Sequence, residues 1–190
     1  MAKLTGICFL SLCLYVSCAE YTPKPRGYFR IEPPTQSYQS LPLDDLPYMF
    51  SVSSGVVVEL PPIGDPAGWI NLSYPSLGAK IYCSYLKITP ATIETVLEES
   101  RLLVARQSQN AHSITEQSYS NPDEKVYACL YQLDDTSVSP IQFTLTDSLS
   151  NFFRGSLLYD YRPNADSITP VTEYIRQDII EIVQSFSWKK

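Results

Sequence analysis

QFTLTDSLSNFFRGSLLYDYRPNADSITPVTEYIRQDIIEIVQSFSW, residues 142–188, is the stretch whose reading decides the fold. Together with Ile141 just before it, Phe143 and Leu145 alternate with Gln142, Thr144 and Thr146, the period of a strand with one buried face. A second run follows, in which Phe153, Gly155, Leu157 and Tyr159 alternate with Arg154, Ser156, Leu158 and Asp160. The five residues between the runs, 147–151, are hairpin material. After a Pro-Asn turn, Thr169-Pro170 reads as a helix start, because proline at the first helical position has no donor to waste. Ile168, Val171, Ile175, Ile179, Ile182 and Phe186 then step by three or four into one apolar stripe, widened by Tyr174 and Val183, which belongs against a sheet.

Working upstream, Val126, Ala128 and Leu130 alternate with Tyr127, Cys129 and Tyr131 as a strand, and residues 107–125 read as a helix end and a polar connecting loop. Residues 48–58, 69–74 and 81–86 carry further strand patterns. Between them and the loop lies a helix expected to begin at Thr89-Pro90, with Ile93, Val96, Leu97, Leu103 and Val104 near helical spacing and Glu94, Glu98 and Glu99 outside. The order βββα then βββα predicts an α+β domain, a mainly antiparallel sheet of about six strands with two main helices packed on it. In element order this is similar in outline to Mog1/PsbP-like domains.

The first 17 residues are an address rather than structure: Lys3 precedes an apolar run from Ile7 to Val16 that is too short for a stable membrane span. Val16-Ser17-Cys18 resembles a bacterial lipobox, which makes Cys18 the candidate lipidation site; an ordinary signal peptide cut nearby is the alternative. Residues 18–47 carry Pro23, Pro25, Pro33, Pro34, Pro42 and Pro47 and read as an irregular extension. Fully extended, that stretch would reach roughly 90 Å from a membrane surface, although its early aromatics imply that part of it lies along the domain. Residues 48–190 are then expected to form a single domain. Cys83 and Cys129 lie in predicted strands; a disulfide and two inert thiols are both open.

Composition and motifs exclude more than they assign. With 14 Lys and Arg against 20 Asp and Glu, and no basic patch interleaved with aromatics, nucleic acid is not an expected partner. G-x-S-x-G, a Walker loop, G-x-G-x-x-G, H-E-x-x-H and C-x-x-C are all absent, and His112 is the only histidine. Asp147 and Ser148 are adjacent, so they cannot readily serve with His112 as orienter and nucleophile. Asp134-Asp135 is turn chemistry. No catalytic residue, metal or cofactor is expected, and a lipid-anchored small-molecule-binding or hydrolytic domain is the rival reading.

Cys18, YTPKPRGYFRI (21–31), WINLSYPSLGAKIY (69–82), KVYACLY (125–131), QFTLTDSLSNFFRGSLLY (142–159) and RPNADSITPV (162–171) together resemble the gliding motility lipoprotein GldD family of Bacteroidetes. The resemblance spans essentially the whole chain from the lipidation site onward. It implies a membrane-anchored, non-enzymatic accessory factor for gliding and for the type IX secretion system, facing the periplasm and partnered by other envelope proteins of that machinery. Arg26, Tyr28, Arg30, Asp147, Arg154, Tyr159 and Arg162 are the partner-contact candidates, being residue types enriched at contact hot spots or charges that could meet head groups, as could Lys24. Asp147 and Arg154 could equally pair across the hairpin and pin its turn. Asn164 and Asp166 are expected to shape the turn into the last helix.

Overall fold

The computed structural model describes residues 33–62, 64, 66–108, 113–133, 137–160 and 165–189, with the backbone alone at 165–167. In chain order the strands are β1 (Tyr38–Ser40), β2 (Tyr48–Met49), β3 (Ser51–Ser53), β4 (Val57–Glu59), β5 (Ile70–Tyr74), β6 (Ala79–Lys87), β7 (Ile114–Asn121), β8 (Val126–Leu133), β9 (Ile141–Thr146), β10 (Asn151–Tyr159) and β11 (Ser187–Trp188). Helix α1 (Ile93–Gln107) follows β6, and α2 (Ala165–Ser185) follows β10. The two alternating runs of the deciding stretch become β9 and β10, at the heart of a seven-stranded antiparallel sheet ordered β4-β5-β6-β10-β9-β8-β7. Two consecutive meanders, β4 to β6 and β7 to β10, are joined where β10 pairs with β6 from Asn151↔Lys87 to Tyr159↔Ala79. The fold is α+β, as the element order predicts.

The apolar stripe of α2 does what its spacing requires. Ile168, Val171, Ile175, Ile179, Ile182 and Phe186 are all buried in one core with Ile70, Leu72, Ile81, Phe143, Leu145 and Leu157 of the sheet. Each fully buried aliphatic chain here contributes about 2 kcal/mol. Gly155 is essential to that face, because an added Cβ would overlap the ring of Phe143 on the neighbouring strand. The glycine leaves the hollow into which the aromatic lies.

Several boundaries differ from the sequence reading. α2 begins at Ala165, not at Thr169, and carries Pro170 inside it; the proline forgoes only the bond to the carbonyl four residues back, close to the helix start. α1 begins at Ile93, after a turn in which the Thr89 carbonyl accepts from the amides of Thr92 and Ile93. Its inward line runs through Ser100 and Val104, so Leu103 is exposed instead of joining the stripe. The expected loop at 107–125 contains the eight-residue strand β7. Its sequence, ITEQSYSN, lacks apolar alternation because the strand sits at the sheet edge with nearly every side chain exposed.

The packed region also starts upstream of residue 48. β1 pairs with β3, and Leu41 and Leu46 are buried in the main core. Gln36 Nε2 and Tyr38 Oη both donate to Oδ1 of Asp178 on α2, at 3.1 and 3.0 Å. Asp178 is almost wholly buried, and burial raises its carboxyl above the usual range although Tyr38 and Gln36 hydrogen-bond to it. The described N-terminal segment 33–53, the lead, is thus fastened to the helix by a buried polar contact as well as by apolar packing.

The register settles the cysteines. Cys83, Gly155 and Phe143 form a row on the core face, whereas Cys129, Thr144 and Arg154 form a row on the other. Both thiols are free, and burial pushes both up, that of Cys129 to about 11. Neither is reactive at neutral pH.

Two outcomes follow from this geometry. Gly155→Ala is expected to lower stability by about 2–3 kcal/mol in urea melts, whereas Gly55→Ala, with open space around the added Cβ, should stay within about 0.5 kcal/mol. Alkylation without reductant should label Cys83 only once the protein is unfolded and the half-buried Cys129 more slowly in the fold than after unfolding; an intact disulfide by mass would contradict the register.

Candidate functional site

The hairpin of β9 and β10 presents one face to the α2 core and the other to the opposite side of the sheet. At its tip Asp147 organises the turn, helped by Thr146, whose Oγ1 accepts from the Ser148 amide at 3.0 Å and donates to the Asn151 carbonyl at 2.8 Å. Its Oδ1 accepts from the amides of Leu149, Ser150 and Asn151, and its Oδ2 from Ser150 Oγ and Asn151 Nδ2, at 2.7–3.1 Å. Ser148 takes the left-handed conformation, φ 62°, that closes the loop. Burial by itself would raise the Asp147 carboxyl, but the amides of Ser150, Asn151 and Leu149 and the Asn151 side chain outweigh it and hold the pKa at about 2. Asp147 therefore pins the turn without Arg154. The cross-hairpin pair open in the sequence is not made, because both carboxylate oxygens are already taken locally.

Arg154 faces the second side of the sheet. There it donates from Nη2 to Gln142 Oε1 at 2.6 Å, and its Nε is enclosed without a partner. Gln142 is 1% exposed and Ser156 6% exposed, and the Gln142 Nε2 and Ser156 Oγ likewise lack partners. Thr144 and Thr146 complete a buried polar layer on a face that alternation alone would assign to solvent. Among the described residues the guanidinium has a neutral acceptor and no carboxylate, and burial lowers its pKa from the usual value. A half-buried cation in that state favours any approaching anion.

Its surroundings divide into a covered half and an open half. Val104 of α1 packs with Tyr131 and Leu133 over β8. On β6 the residue opposite Arg154 is Ser84, flanked on the same face by Tyr82 and Leu86, which are 48% and 40% exposed. Lys80 extends this strip, held by Glu59 at 2.7 Å and lying 5.9 Å from the centre of the Tyr82 ring. Arg154, Tyr82 and Leu86 thus form a compact contact surface of an arginine between a tyrosine and a leucine.

The other sequence candidates do not converge on it. Tyr159 lies on the core face, where its hydroxyl meets Thr172 Oγ1 of α2 at 2.7 Å, so it fastens strand to helix. Cys18, Lys24, Arg26, Tyr28, Arg30, His112, Asp134, Asp135, Arg162 and Asn164 lie outside the described residues. Asp166 falls in the first turn of α2, where the backbone alone is described. Sequence reading missed Gln142, Ser156, Tyr82 and Leu86. The available signal was the central position of β9, all six of whose residues are buried, which only the strand order reveals. Among the described residues no cluster of three metal-ligating side chains occurs, and no helix is long and apolar enough to cross a membrane.

Residues 18–188 match the family model described as gliding motility lipoprotein GldD. No curated protein matches the chain.

The turn carries its own test. Because the Asp147 carboxyl is depressed in the fold, its stabilisation is fully present above about pH 4 and disappears as pH falls through about 2. Asp147→Ala is expected to cost about 1–2 kcal/mol at neutral pH, and the difference from the parent in urea melts should shrink toward pH 2.

Proposed function

Because the chain belongs to the gliding motility lipoprotein GldD family, we propose that it is a lipid-anchored, non-enzymatic accessory factor that serves gliding motility and the type IX secretion system by protein contact. Family membership carries the coarse statement, a gliding-motility lipoprotein held at a membrane of the cell envelope. The finer reading rests on Arg154. A guanidinium held in a buried polar layer, with only Gln142 as acceptor among the described residues, between exposed Tyr82 and Leu86, combines hot-spot residue types with an unmet charge. A partner carboxylate would complete that arrangement. Other envelope proteins of the gliding and secretion machinery are the proposed partners, on the periplasmic side.

The anchor supports the same reading. The family match begins at Cys18, the residue that the lipobox-like Val16-Ser17-Cys18 marks for lipidation. With the lead fastened to α2 from Gln36 onward, only about 18 residues separate anchor and domain, a reach of roughly 55 Å in extended form. The domain would work close to its membrane.

Cys18→Ala should shift the protein from the membrane to the soluble fraction of cells that carry it as the only copy. Arg154→Ala and Tyr82→Ser should abolish gliding and surface-adhesin secretion while the purified domains still melt cooperatively. An Arg154→Ala protein that is unfolded would make that residue structural. Full gliding with a folded Tyr82→Ser and Arg154→Ala double variant would remove the contact surface from the proposal.

A further inference from the structure

The two edges of the main sheet are built differently. β4 is three residues long, carries the Lys80-paired Glu59 and runs into Pro61 and Pro62, features that blunt an edge against strand addition. β7, at the opposite edge, is eight residues long and contains neither proline nor lysine. In an antiparallel pair every second residue turns its N–H and C=O away from the neighbour. One side of β7 therefore offers a row of backbone donors and acceptors, and among the described residues no strand pairs with it.

Among the described residues the core face beside this edge is open too. α2 lies across the sheet, and the lead covers one of its flanks, through Asp178 and β3, on the side of Tyr74 in β5. On the other flank, between α2 and the pair β7–β8, two clefts lie in line. One of about 290 Å³ is polar, lined by Thr115, Gln132, Thr172 and Glu173. The next, of about 190 Å³, is apolar, lined by Tyr119, Leu130, Ile180 and Val183. Thr115 and Tyr119 project to the same face four residues apart, so the clefts are spaced by about 13 Å, four residues of extended chain.

We infer that the β7 edge and this groove receive an extended basic segment of a partner protein, which adds as an eighth strand. It sets an apolar side chain in the cleft at Tyr119 and Val183, and a polar one four residues away in the cleft at Thr115 and Gln132. Backbone pairing supplies the affinity of such an addition and the alternate side-chain sites supply its selectivity. The charge follows from Glu116, Asp123 and Glu124, all exposed on β7 and its turn against the single cation Lys125. Two copies of this acidic chain meeting edge to edge would repel, whereas Lys or Arg flanking the inserted strand is attracted. The site is distinct from the Arg154 surface, which occupies the opposite face of the sheet.

The test uses the full membrane-anchored chain with a photoactivatable phenylalanine analogue at Gln117 or, as control for the other face, at Tyr82. Peptide mapping of the Gln117 crosslink is expected to give a segment of another envelope protein that contains Lys or Arg and an apolar residue four positions from a polar one. A synthetic peptide of that mapped segment should slow amide exchange across β7 at least about tenfold. Of the single variants Gln117→Pro and Ser118→Pro, one faces its amide outward; the one that leaves the melting temperature unchanged should lose the protection that the peptide gives to β7. A crosslink to residues 18–32 of the same chain, a crosslink to a second copy, or a mapped peptide that leaves β7 exchange unchanged would each overturn the inference. Crosslinking from position 82 alone would overturn it while leaving the Arg154 contact reading intact.

Discussion

The edge-to-face packing of Tyr48 on Phe153, ring centroids 4.7 Å apart and planes at 69°, ties together segments that are far apart in the chain. Tyr48 stacks also on Phe50 and Phe186 at 5.8 and 5.7 Å, and its hydroxyl donates to the Gly68 carbonyl at 2.7 Å. One ring thereby contacts the lead, the loop before β5, the central strand and the end of α2. Gly68 has φ 87° and lies so close to Tyr85 that a Cβ would stand 2.8 Å from its ring, which keeps the carbonyl within reach. Phe186 passes the contact on to Trp188, whose indole donates to the Lys125 carbonyl beyond β7. The short pair β2–β11 exists because this cluster holds the chain's C-terminal residues against the lead.

A core so concentrated on one face has a consequence for the other. The second face of β9 is buried as well, beside the cluster that Val104 of α1 forms over β8, yet with β10 it carries Gln142, Thr144, Arg154 and Ser156. Buried polar atoms without partners cost on the order of 1–3 kcal/mol each. The Tyr48 cluster and the α2 stripe supply the burial against which such a layer is tolerated. Strands in the middle of a sheet hold such a polar layer on a stiffer frame than loops would.

The deciding stretch was legible wherever one face of an element is apolar and the other polar. β9, β10 and the stripe of α2 follow from period two and period 3.6 alone; the stripe from Ile168 to Phe186 is buried as its spacing requires, whereas the burial of Thr172 and Asp178 on the same helix is not marked by any pattern. β7 was illegible for the same reason: ITEQSYSN buries neither face, so edge pairing with β8 makes it a strand and no periodicity marks it. Leu103 was assigned to the wrong side because Ser100, a polar residue, occupies the inward line of α1. At the candidate site Arg154 was named from its residue type, and its true partner Gln142 was not. Two residues, twelve apart in sequence, meet only through the β9–β10 register.

By itself, the sequence determined the α+β class, the α2 stripe, the hairpin at 147–151 and, through its motifs, the family, because these depend on local periodicity or on local residue order. Tertiary structure decided that Asp147 serves the turn, that Tyr159 faces the core, that Cys83 and Cys129 lie on opposite faces, and that Arg154 stands among polar residues and beside Tyr82 and Leu86. Each of those is a question of which strand lies beside which. Strand order is fixed by the burial of the whole sheet, and no single segment's pattern contains it.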